Sequence, residues 1–279
     1  MTTTRTVVIS GLGLMGSSAA AALSAAGWSV RLHHRRPEVS AEAASQGWGK
    51  AYDSLSEAAA GADIGLVGVP VSVVAEVVSE LLAANPRLVV TDLGSTKASI
   101  CERLAAESRA GQFVGSHPMC GSHQQGLAHA DPLLYTGATV AVTPTGDTPP
   151  ATVAAAIALW QAMGARCIQL EPAIHDRAVA SASHLPHVLA AATAALLCDE
   201  GLDLAATGFR DTSRVAAGSP RLWCDILREN SSAVRDLLAT SRAHLAALEQ
   251  ALATDDATAI EAWLEQGRAG RERFDQRDH

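Results

Sequence analysis

Short apolar runs alternate with helical stretches along the first half of the chain. The runs are β-branched and bounded by glycine, proline or polar residues, which is typical of buried strands. Ser17–Ala26 and Val71–Leu82 are rich in small and branched apolar residues and predict helices between strands. This alternation predicts an α/β fold, a doubly wound parallel sheet with helices on both faces. The predicted strands are Thr6–Ser10, Ser29–His33, Ile64–Val69, Leu88–Asp92, Phe113–Ser116 and Thr139–Thr143.

A polar, turn-forming segment, TPTGDTPP at Thr143–Pro150, separates the two halves of the chain. We expect a sheet domain at residues 1–148 and a helical domain at residues 149–279, with one more short strand at Arg166–Leu170. The helical half is apolar beyond what one small domain needs, which predicts a homodimer. The predicted helices are Thr152–Met163, His175–Leu197, Leu222–Leu238 and Ala243–Gly267.

Composition and charge narrow the class of protein. The net charge is −8, and the longest basic run is the pair Arg35–Arg36, which argues against a nucleic-acid partner. The five cysteines are scattered singly, so neither a disulfide framework nor a metal site is expected. The first residues lead directly into a strand, and no segment has the length and apolarity of a membrane span. We expect a cytoplasmic enzyme that acts on a small molecule without a membrane partner.

A glycine-rich loop, GLGLMG, follows the first predicted strand and opens the first predicted helix. Its GxGxxG spacing allows a tight turn, close approach of a pyrophosphate and packing of the helix on the strand. A plain strand-to-helix turn is the alternative. The loop predicts a dinucleotide site in a Rossmann domain, with Val69 and Pro70 contributing from the end of another strand. The loop residues are Gly11, Leu12, Gly13, Leu14, Met15 and Gly16.

The end of the second predicted strand indicates which dinucleotide binds. An NAD site places an acid there to hold the ribose hydroxyls, but this chain has His34, followed by Arg35 and Arg36. Two guanidinium groups suit a 2′-phosphate, so we expect NADP as cofactor, with NAD still possible. The alternative is that both arginines belong to a solvated loop.

Four further segments carry residues suited to chemistry: DLGSTK at Asp92–Lys97, GSHPMCGS at Gly115–Ser122, SHLPH at Ser183–His187 and GFRDTSR at Gly208–Arg214. The first two follow predicted strands, and ligands of a doubly wound sheet bind beyond the carboxyl ends of its strands. We therefore expect their polar residues at the nicotinamide end of the cleft.

The chain resembles the prephenate and arogenate dehydrogenases in GLGLMG, DLGSTK, SHPMCG, HDRAVASASHLPH and GFRDTSR, in this order, from about Thr6 to Asn230. The resemblance implies a Rossmann domain followed by a helical domain that forms the dimer. It also implies oxidative decarboxylation of prephenate or arogenate, with hydride transfer to the nicotinamide, in tyrosine biosynthesis.

The resemblance implies two catalytic residues. His117 matches the histidine that accepts the proton of the substrate C4 hydroxyl, and a neutral imidazole suits that role at neutral pH. Ser95 matches the serine that hydrogen-bonds the hydroxyl and the histidine. Ser95 has a structural alternative, capping of the helix that follows it.

The resemblance also implies a substrate pocket. Arg214 matches the arginine that binds a substrate carboxylate, as a bidentate guanidinium does well. The alternative is a local salt-bridge cluster with Arg210 and Asp211, although pairing with Asp211 could also orient Arg214 for this role. His187 and His184 match pocket histidines, and Pro186 between them is expected to distort their helix. Trp223 matches a tryptophan supplied to the pocket edge by the partner subunit.

One position departs from the family and leaves the substrate open. Many members carry glutamate six residues beyond the catalytic histidine, where this chain has His123. Prephenate, arogenate and an amino-substituted relative therefore remain candidates. The alternative functions are a 6-phosphogluconate-like hydroxyacid dehydrogenase and a non-catalytic NADP-binding sensor. The first needs a lysine in the second half, but the lysines here are Lys50 and Lys97.

Overall fold

The computed structural model describes residues 4–121 and 124–277. Five parallel strands form a first sheet in the order β3-β2-β1-β4-β5. Val7 and Ile9 of the central strand pack in one apolar cluster and Val8 in another, so both faces of the sheet are covered. The predicted doubly wound sheet is confirmed. The strands are β1 Thr6–Ser10, β2 Ser29–His33, β3 Lys50–Tyr52, β4 Ile64–Val67 and β5 Val89–Asp92.

The strand order reverses between β1 and β4, which opens a crevice at their carboxyl ends. Strand β3 was not predicted from the sequence, because three residues are too few to show an alternating pattern. The helices of this half are α1 Leu14–Ala25, α2 Pro37–Ser45, α3 Leu55–Ala59, α4 Val74–Ala84 and α5 Ala98–Leu104.

A second sheet contains the three strands β6 Gly115–Pro118, β7 Thr139–Thr143 and β8 Arg166–Gln169. Strands β6 and β7 are antiparallel, which corrects the expectation of parallel strands throughout, whereas β7 and β8 are parallel. A parallel bridge from Val90 to Phe113 aligns β6 with β5, so both strands end at the same edge.

The expected position of His117 in a loop after its strand is wrong. His117 lies within β6 and pairs with Ala141 of β7. Because β6 is the edge strand of its sheet, it can accommodate Pro118 without losing an interior ladder bond.

One helix with a π-helical turn in its middle carries much of the second half of the site. It consists of Pro172–Val179 (α7), a π-helical turn at Ala180–His184, and Leu185–Ala195 (α8). Pro186 has no N–H to donate to the preceding turn, which accounts for the wide turn just before it. The helices after the boundary are α6 Pro150–Ala162, α7 Pro172–Val179, α8 Leu185–Ala195, α9 Asp199–Leu202, α10 Thr207–Ser213 and α11 Pro220–Glu229.

The last two helices, α12 Ser231–Ala253 and α13 Ala257–Asp275, differ from the prediction. The predicted helix Leu222–Leu238 is divided at Asn230, and the predicted helix Ala243–Gly267 is divided at residues 254–256. Asp255 has a left-handed backbone with φ 52°, and the Asp256 carboxylate accepts a hydrogen bond from the Ala259 N–H (3.0 Å). A turn and a new helix N-cap thus interrupt the apolar pattern from which one continuous helix was predicted.

Two compact units, Met1–Ser231 and Ser232–His279, make up the chain. The boundary at residue 148 stays a prediction, because β8 lies beyond it and still pairs with β7. Within the second unit, the Trp263 indole N–H donates to the His244 carbonyl oxygen (2.9 Å). None of the helices in the described ranges is long and apolar enough to cross a membrane.

Candidate active site

Close packing within the protein explains two glycines of the loop between β1 and α1, Gly11 and Gly16, but it does not explain Gly13. A Cβ on Gly11, whose φ is +98°, would lie 2.5 Å from the Gly68 carbonyl oxygen, and one on Gly16 would lie 1.9 Å from the Gly11 oxygen. A Cβ on Gly13 would meet no atom within 4 Å. Gly13 therefore leaves room at the N-terminus of α1, and this open space fits the pyrophosphate of a dinucleotide. Of the other loop residues, Leu12 and Leu14 are buried and Met15 is half-buried.

Two segments close on this loop. The backbone nitrogen of Val69, which precedes Pro70, would lie 2.9 Å from a Gly11 Cβ. A Cβ on Gly121, at the end of SHPMCG, would lie 3.9 Å from the Met15 sulfur. The segment that carries the candidate base is therefore next to the nucleotide loop.

Basic residues follow β2, where the ribose of a dinucleotide is expected. Arg35 and Arg36 are exposed, and Glu38 lies 3.9 Å from Arg36. The Arg36 N–H donates to His34 Nδ1 (3.1 Å), and burial lowers the pKa of His34. Arg35 makes no ion pair within residues 4–121 and 124–277, so its charge is available to an anionic ligand.

A buried ion pair joins the ends of β5 and β6. The Lys97 ammonium pairs with the Asp92 carboxylate, and both side chains are 0% exposed. Asp92 Oδ1 accepts a hydrogen bond from the Ser116 N–H (2.9 Å), and Lys97 Nζ donates to the Ser116 carbonyl oxygen (2.9 Å). The ion pair therefore holds both the N–H and the carbonyl oxygen of Ser116, the residue that precedes His117.

His117 is a half-buried imidazole at the carboxyl edge of the sheet. Its Nδ1 lies 3.0 Å from His175 Nε2, and its Nε2 makes no hydrogen bond with any residue of the described chain. Burial, reinforced by nearby His175 and Lys97, holds the pKa of His117 well below its ordinary value of 6.5. The ring is therefore neutral at neutral pH, the form that a general base needs.

Asp176 connects His175 to the DLGSTK segment. Its Oδ1 accepts hydrogen bonds from His175 Nδ1 and the Lys97 N–H, both 2.8 Å, and its Oδ2 accepts one from the Ala98 N–H (2.8 Å). Burial raises the pKa of Asp176, but these hydrogen bonds outweigh burial and bring the pKa below its ordinary value. Asp176 is therefore an ionised carboxylate that caps the N-terminus of α5.

Ser95 is half-buried in the same segment and makes no hydrogen bond within the described ranges. The alternative that Ser95 caps α5 is wrong, since Asp176 provides that cap from the second half of the chain. The described residues form no hydrogen bond between Ser95 and His117. A role toward the substrate hydroxyl stays a prediction.

His184 presents a hydrogen-bond donor that has no partner among the described residues. The Asn230 side-chain amide donates to the Asp176 carbonyl oxygen (2.8 Å) and lies 3.1 Å from His184 Nδ1, which therefore accepts. The proton of neutral His184 is then on Nε2, which is buried and unpartnered in the described chain. Burial, the largest effect, lowers the pKa of His184 to about 4. Such a donor is available to a ligand or to water.

His187 stacks on Trp223 of its own chain, with ring centroids 3.5 Å apart and planes 12° apart. Gly218 permits this contact, because a Cβ there would lie 2.6 Å from the Trp223 indole nitrogen. His187 Nδ1 is buried and unpartnered in the described chain, and burial lowers the pKa of His187. The expected contribution of Trp223 to a partner subunit's pocket stays a prediction.

Arg214 begins a short 3-10 turn, Arg214–Ala217, that packs against α8. Its side chain is exposed and makes no ion pair within the described ranges. Asp211 lies 3.7 Å from Arg210 instead, so the suggested pairing of Asp211 with Arg214 is not formed. The Arg214 charge remains available to a carboxylate.

The sequence pattern did not identify three residues of this site: His175, Asp176 and Asn230. An adjacent histidine and aspartate in the first turn of a predicted helix was the available signal for the first two. His123 lies outside the described residues. No cluster of side chains suited to a metal ion occurs in the described ranges.

Two sequence models of one protein family match the chain. The nucleotide-binding domain of prephenate dehydrogenase matches residues 19–169, and the dimerization domain of prephenate dehydrogenase matches residues 171–266. The first match begins after the glycine loop, and the junction between the two falls just after β8.

Three similar proteins cover nearly the whole chain. A cyclohexadienyl dehydrogenase of Zymomonas mobilis is 32% identical over 267 residues, 92% of this chain and 91% of that protein. The crystal structure of Synechocystis arogenate dehydrogenase is 28% identical, with a TM-score of 0.82 over 97% of this chain and 100% of that one. The crystal structure of Aquifex aeolicus prephenate dehydrogenase, in complex with hydroxyphenyl propionate and NAD+, is 26% identical, with a TM-score of 0.87 over 98% and 99%.

Proposed function

The chain belongs to the prephenate dehydrogenase family, and we propose that it catalyses the oxidative decarboxylation of prephenate or arogenate in tyrosine biosynthesis. The products are 4-hydroxyphenylpyruvate from prephenate or tyrosine from arogenate. One observation carries the proposal: the neutral imidazole of His117 lies at the carboxyl edge of the sheet, close to the glycine loop, and its Nε2 has no hydrogen-bond partner among the described residues.

The proposed chemistry assigns one proton to the protein. Bound NADP supplies the acceptor for the hydride that leaves C4 of the substrate. His117 Nε2 accepts the proton of the C4 hydroxyl, and Ser95 hydrogen-bonds the same oxygen. The bond to the ring carboxylate then breaks, CO2 leaves, and its electron pair makes the ring aromatic. The new phenolate oxygen recovers the proton from His117, which returns the base to its starting form.

We propose NADP as the preferred cofactor, with NAD as a weaker alternative. Arg35 supports this choice because it is exposed and unpaired in the described chain. In addition, the chain has His34 after β2, where an NAD site has an acid. Arg36 contributes less, since Glu38 lies beside it and offsets part of its charge.

The proposed substrate pocket lies on α8, the π-helical turn before it and the Arg214–Ala217 turn that packs against α8. His184 Nε2 and His187 Nδ1 are buried and unpartnered in the described chain, which suits the polar groups of a carboxylated substrate. Arg214 supplies the cation for a substrate carboxylate.

A lysine-dependent hydroxyacid dehydrogenase suits the site less well. Lys97 is fully buried in its ion pair with Asp92, and Lys50 lies over the Tyr52 ring at 5.0 Å. Both lysines precede the helical half.

We also infer a homodimer, in agreement with the dimerization-domain match at residues 171–266. Large apolar side chains are exposed along that segment, which supports an interface. They include Leu189, Leu196, Leu202, Leu204, Leu222, Leu245 and Leu252. The cysteines of the described chain are free thiols, which supports a reducing, cytoplasmic setting.

Product analysis tests the proposed reaction. Purified enzyme is incubated with NADP and either prephenate or arogenate, and reduced nucleotide, CO2 and aromatic product are measured together. We expect equal amounts of all three. Reduced nucleotide without CO2, from a panel of hydroxyacids, would instead identify an ordinary hydroxyacid dehydrogenase.

A further inference from the structure

His175 and Asp176 form a buried dyad directly behind the proposed base. We propose that this dyad is a positioning pair, which holds His117 in the tautomer with its proton on Nδ1 and its lone pair on the open Nε2. The proposal rests on the assignment of His117 as the base. It gives a role to His175 and Asp176, two residues to which the sequence motifs assigned none.

The first link is the hydrogen bond between Asp176 and His175. An ionised carboxylate only accepts, so His175 Nδ1, 2.8 Å from Asp176 Oδ1, carries a proton and donates it. Asp176 also accepts from two backbone N–H groups, which fixes the carboxylate in place. His175 is 1% exposed and cannot turn into solvent to exchange partners.

The second link is the hydrogen bond between the two histidines. In the proposal His175 is a neutral imidazole, and Asp176 holds its one proton on Nδ1. Neutral His175, protonated on Nδ1, has its lone pair on Nε2. Since His117 Nδ1 lies 3.0 Å from that nitrogen, His117 Nδ1 carries the proton and donates.

The consequence for catalysis falls on the other nitrogen of His117. With the proton on Nδ1, Nε2 carries the lone pair, and Nε2 is the nitrogen without a partner in the described chain. In the opposite tautomer Nε2 would carry a proton and could not accept one from the substrate. The dyad therefore determines whether the histidine is a base, and it does so without contacting substrate.

His175 is the better residue for a test, because Asp176 also caps α5 and its loss would disturb the DLGSTK segment. Two substitutions of similar size separate hydrogen bonding from packing. His175→Gln places an amide oxygen where His117 can donate, and His175→Met fills a similar volume without a strong acceptor.

The first measurement is the imidazole nitrogen chemical shifts of His117 by NMR, in enzyme without substrate or nucleotide and above pH ~7.5, where a histidine of ordinary pKa is neutral. His117→Asn identifies the signals. We expect the proton on Nδ1 in the native enzyme and in His175→Gln, and a mixture of tautomers in His175→Met. A native His117 with its proton on Nε2 overturns the proposal and needs no variant to be seen.

The second measurement is steady-state kinetics of the same two variants. We expect His175→Met to lower kcat by about 10²-fold, the lower range for general acid–base catalysis, with KM changed little. His175→Gln should recover most of that loss. Equal losses in both variants, or near-native kcat in His175→Met, overturn the proposal. If the native enzyme oxidises neither prephenate nor arogenate, the proposed function fails, while the NMR result still tests the dyad.

Discussion

The two sides of His117 differ in how their polar groups are satisfied. Behind the ring, Asp92, Lys97, His175 and Asp176 are buried and hydrogen-bonded to one another or to backbone groups. In the proposed substrate pocket, buried nitrogens of His184 and His187 lack partners within the described ranges, and Arg214 has no ion pair there.

This contrast indicates which residues hold the base in place and which are available to recognise the substrate. Buried polar groups are normally hydrogen-bonded, so a fully partnered network fixes the geometry of the base before any ligand binds. Unpartnered groups cost free energy in the free protein and gain a partner when the substrate arrives. Changes behind the ring should therefore affect kcat or folding, whereas changes in the pocket should affect KM.

The largest effect is expected at the boundary between the two sides. His117→Asn removes the base and should lower kcat by about 10² to 10⁴-fold, the range for general acid–base catalysis, while NADP binding and thermal stability remain near native. Kinetics, a nucleotide titration and a melting curve measure the three properties. Turnover close to native would remove His117 from the mechanism.

Lys97→Met tests the network behind the ring through stability. It leaves the Asp92 carboxylate buried without its partner and should lower the free energy of unfolding by about 3 to 5 kcal/mol. Chemical denaturation measures the change. Lys50→Met is the control, because Lys50 is exposed and its loss should change stability by less than about 0.5 kcal/mol. Similar small effects at both lysines would show that the buried pair is not needed.

Arg214→Ala tests the open pocket. Loss of a charged hydrogen-bonding partner should raise KM about tenfold to a hundredfold, corresponding to about 1.5 to 3 kcal/mol, with nucleotide affinity unchanged. Arg210→Ala is the matched control, since Arg210 is also exposed but already lies beside Asp211. Equal KM values in the two variants would make Arg214 a structural residue.

The preference for NADP or NAD tests the basic residues Arg35 and Arg36, which follow β2. Arg35→Ala combined with Arg36→Ala should lower the NADP/NAD ratio of kcat/KM by about tenfold, the loss of one or two charged hydrogen bonds. Arg35→Ala alone should account for more of the change than Arg36→Ala, because Glu38 offsets the Arg36 charge. No shift in the ratio would place recognition of the 2′-phosphate elsewhere.

The pH dependence of kcat/KM is expected to show the smallest effect, but the direction of its displacement is clearly predicted. Burial lowers the pKa of His117, so the active neutral form persists below pH 6.5 and is lost only as the pH falls through the depressed pKa. The acid limb of kcat/KM should therefore have its midpoint below 6.5. A midpoint at or above 6.5 would contradict the burial of the base.

The sequence predicted the sheet and the glycine loop, and it singled out His117, because each has a local signature; His117 lies within β6 instead of after its strand, and its role as the base stays a prediction. The β-branched strands, GxGxxG and the histidine before Pro118 all lie within short stretches of chain. It did not predict the role of Asp176, which caps α5 across a separation of 78 residues to Ala98. Nor did it predict the division at Asn230, whose amide contacts His184, 46 residues away. Such contacts depend on tertiary packing, which a local pattern does not contain.

Steady-state turnover with prephenate and with arogenate, each with NADP and with NAD, tests the central claim most directly. The account predicts formation of reduced nucleotide with at least one of the two substrates, faster with NADP, and its loss in His117→Asn. The substrate that is oxidised would also show whether a chain with His123 accepts the keto or the amino side chain. No turnover with either substrate, by folded enzyme that binds NADP, would contradict the account.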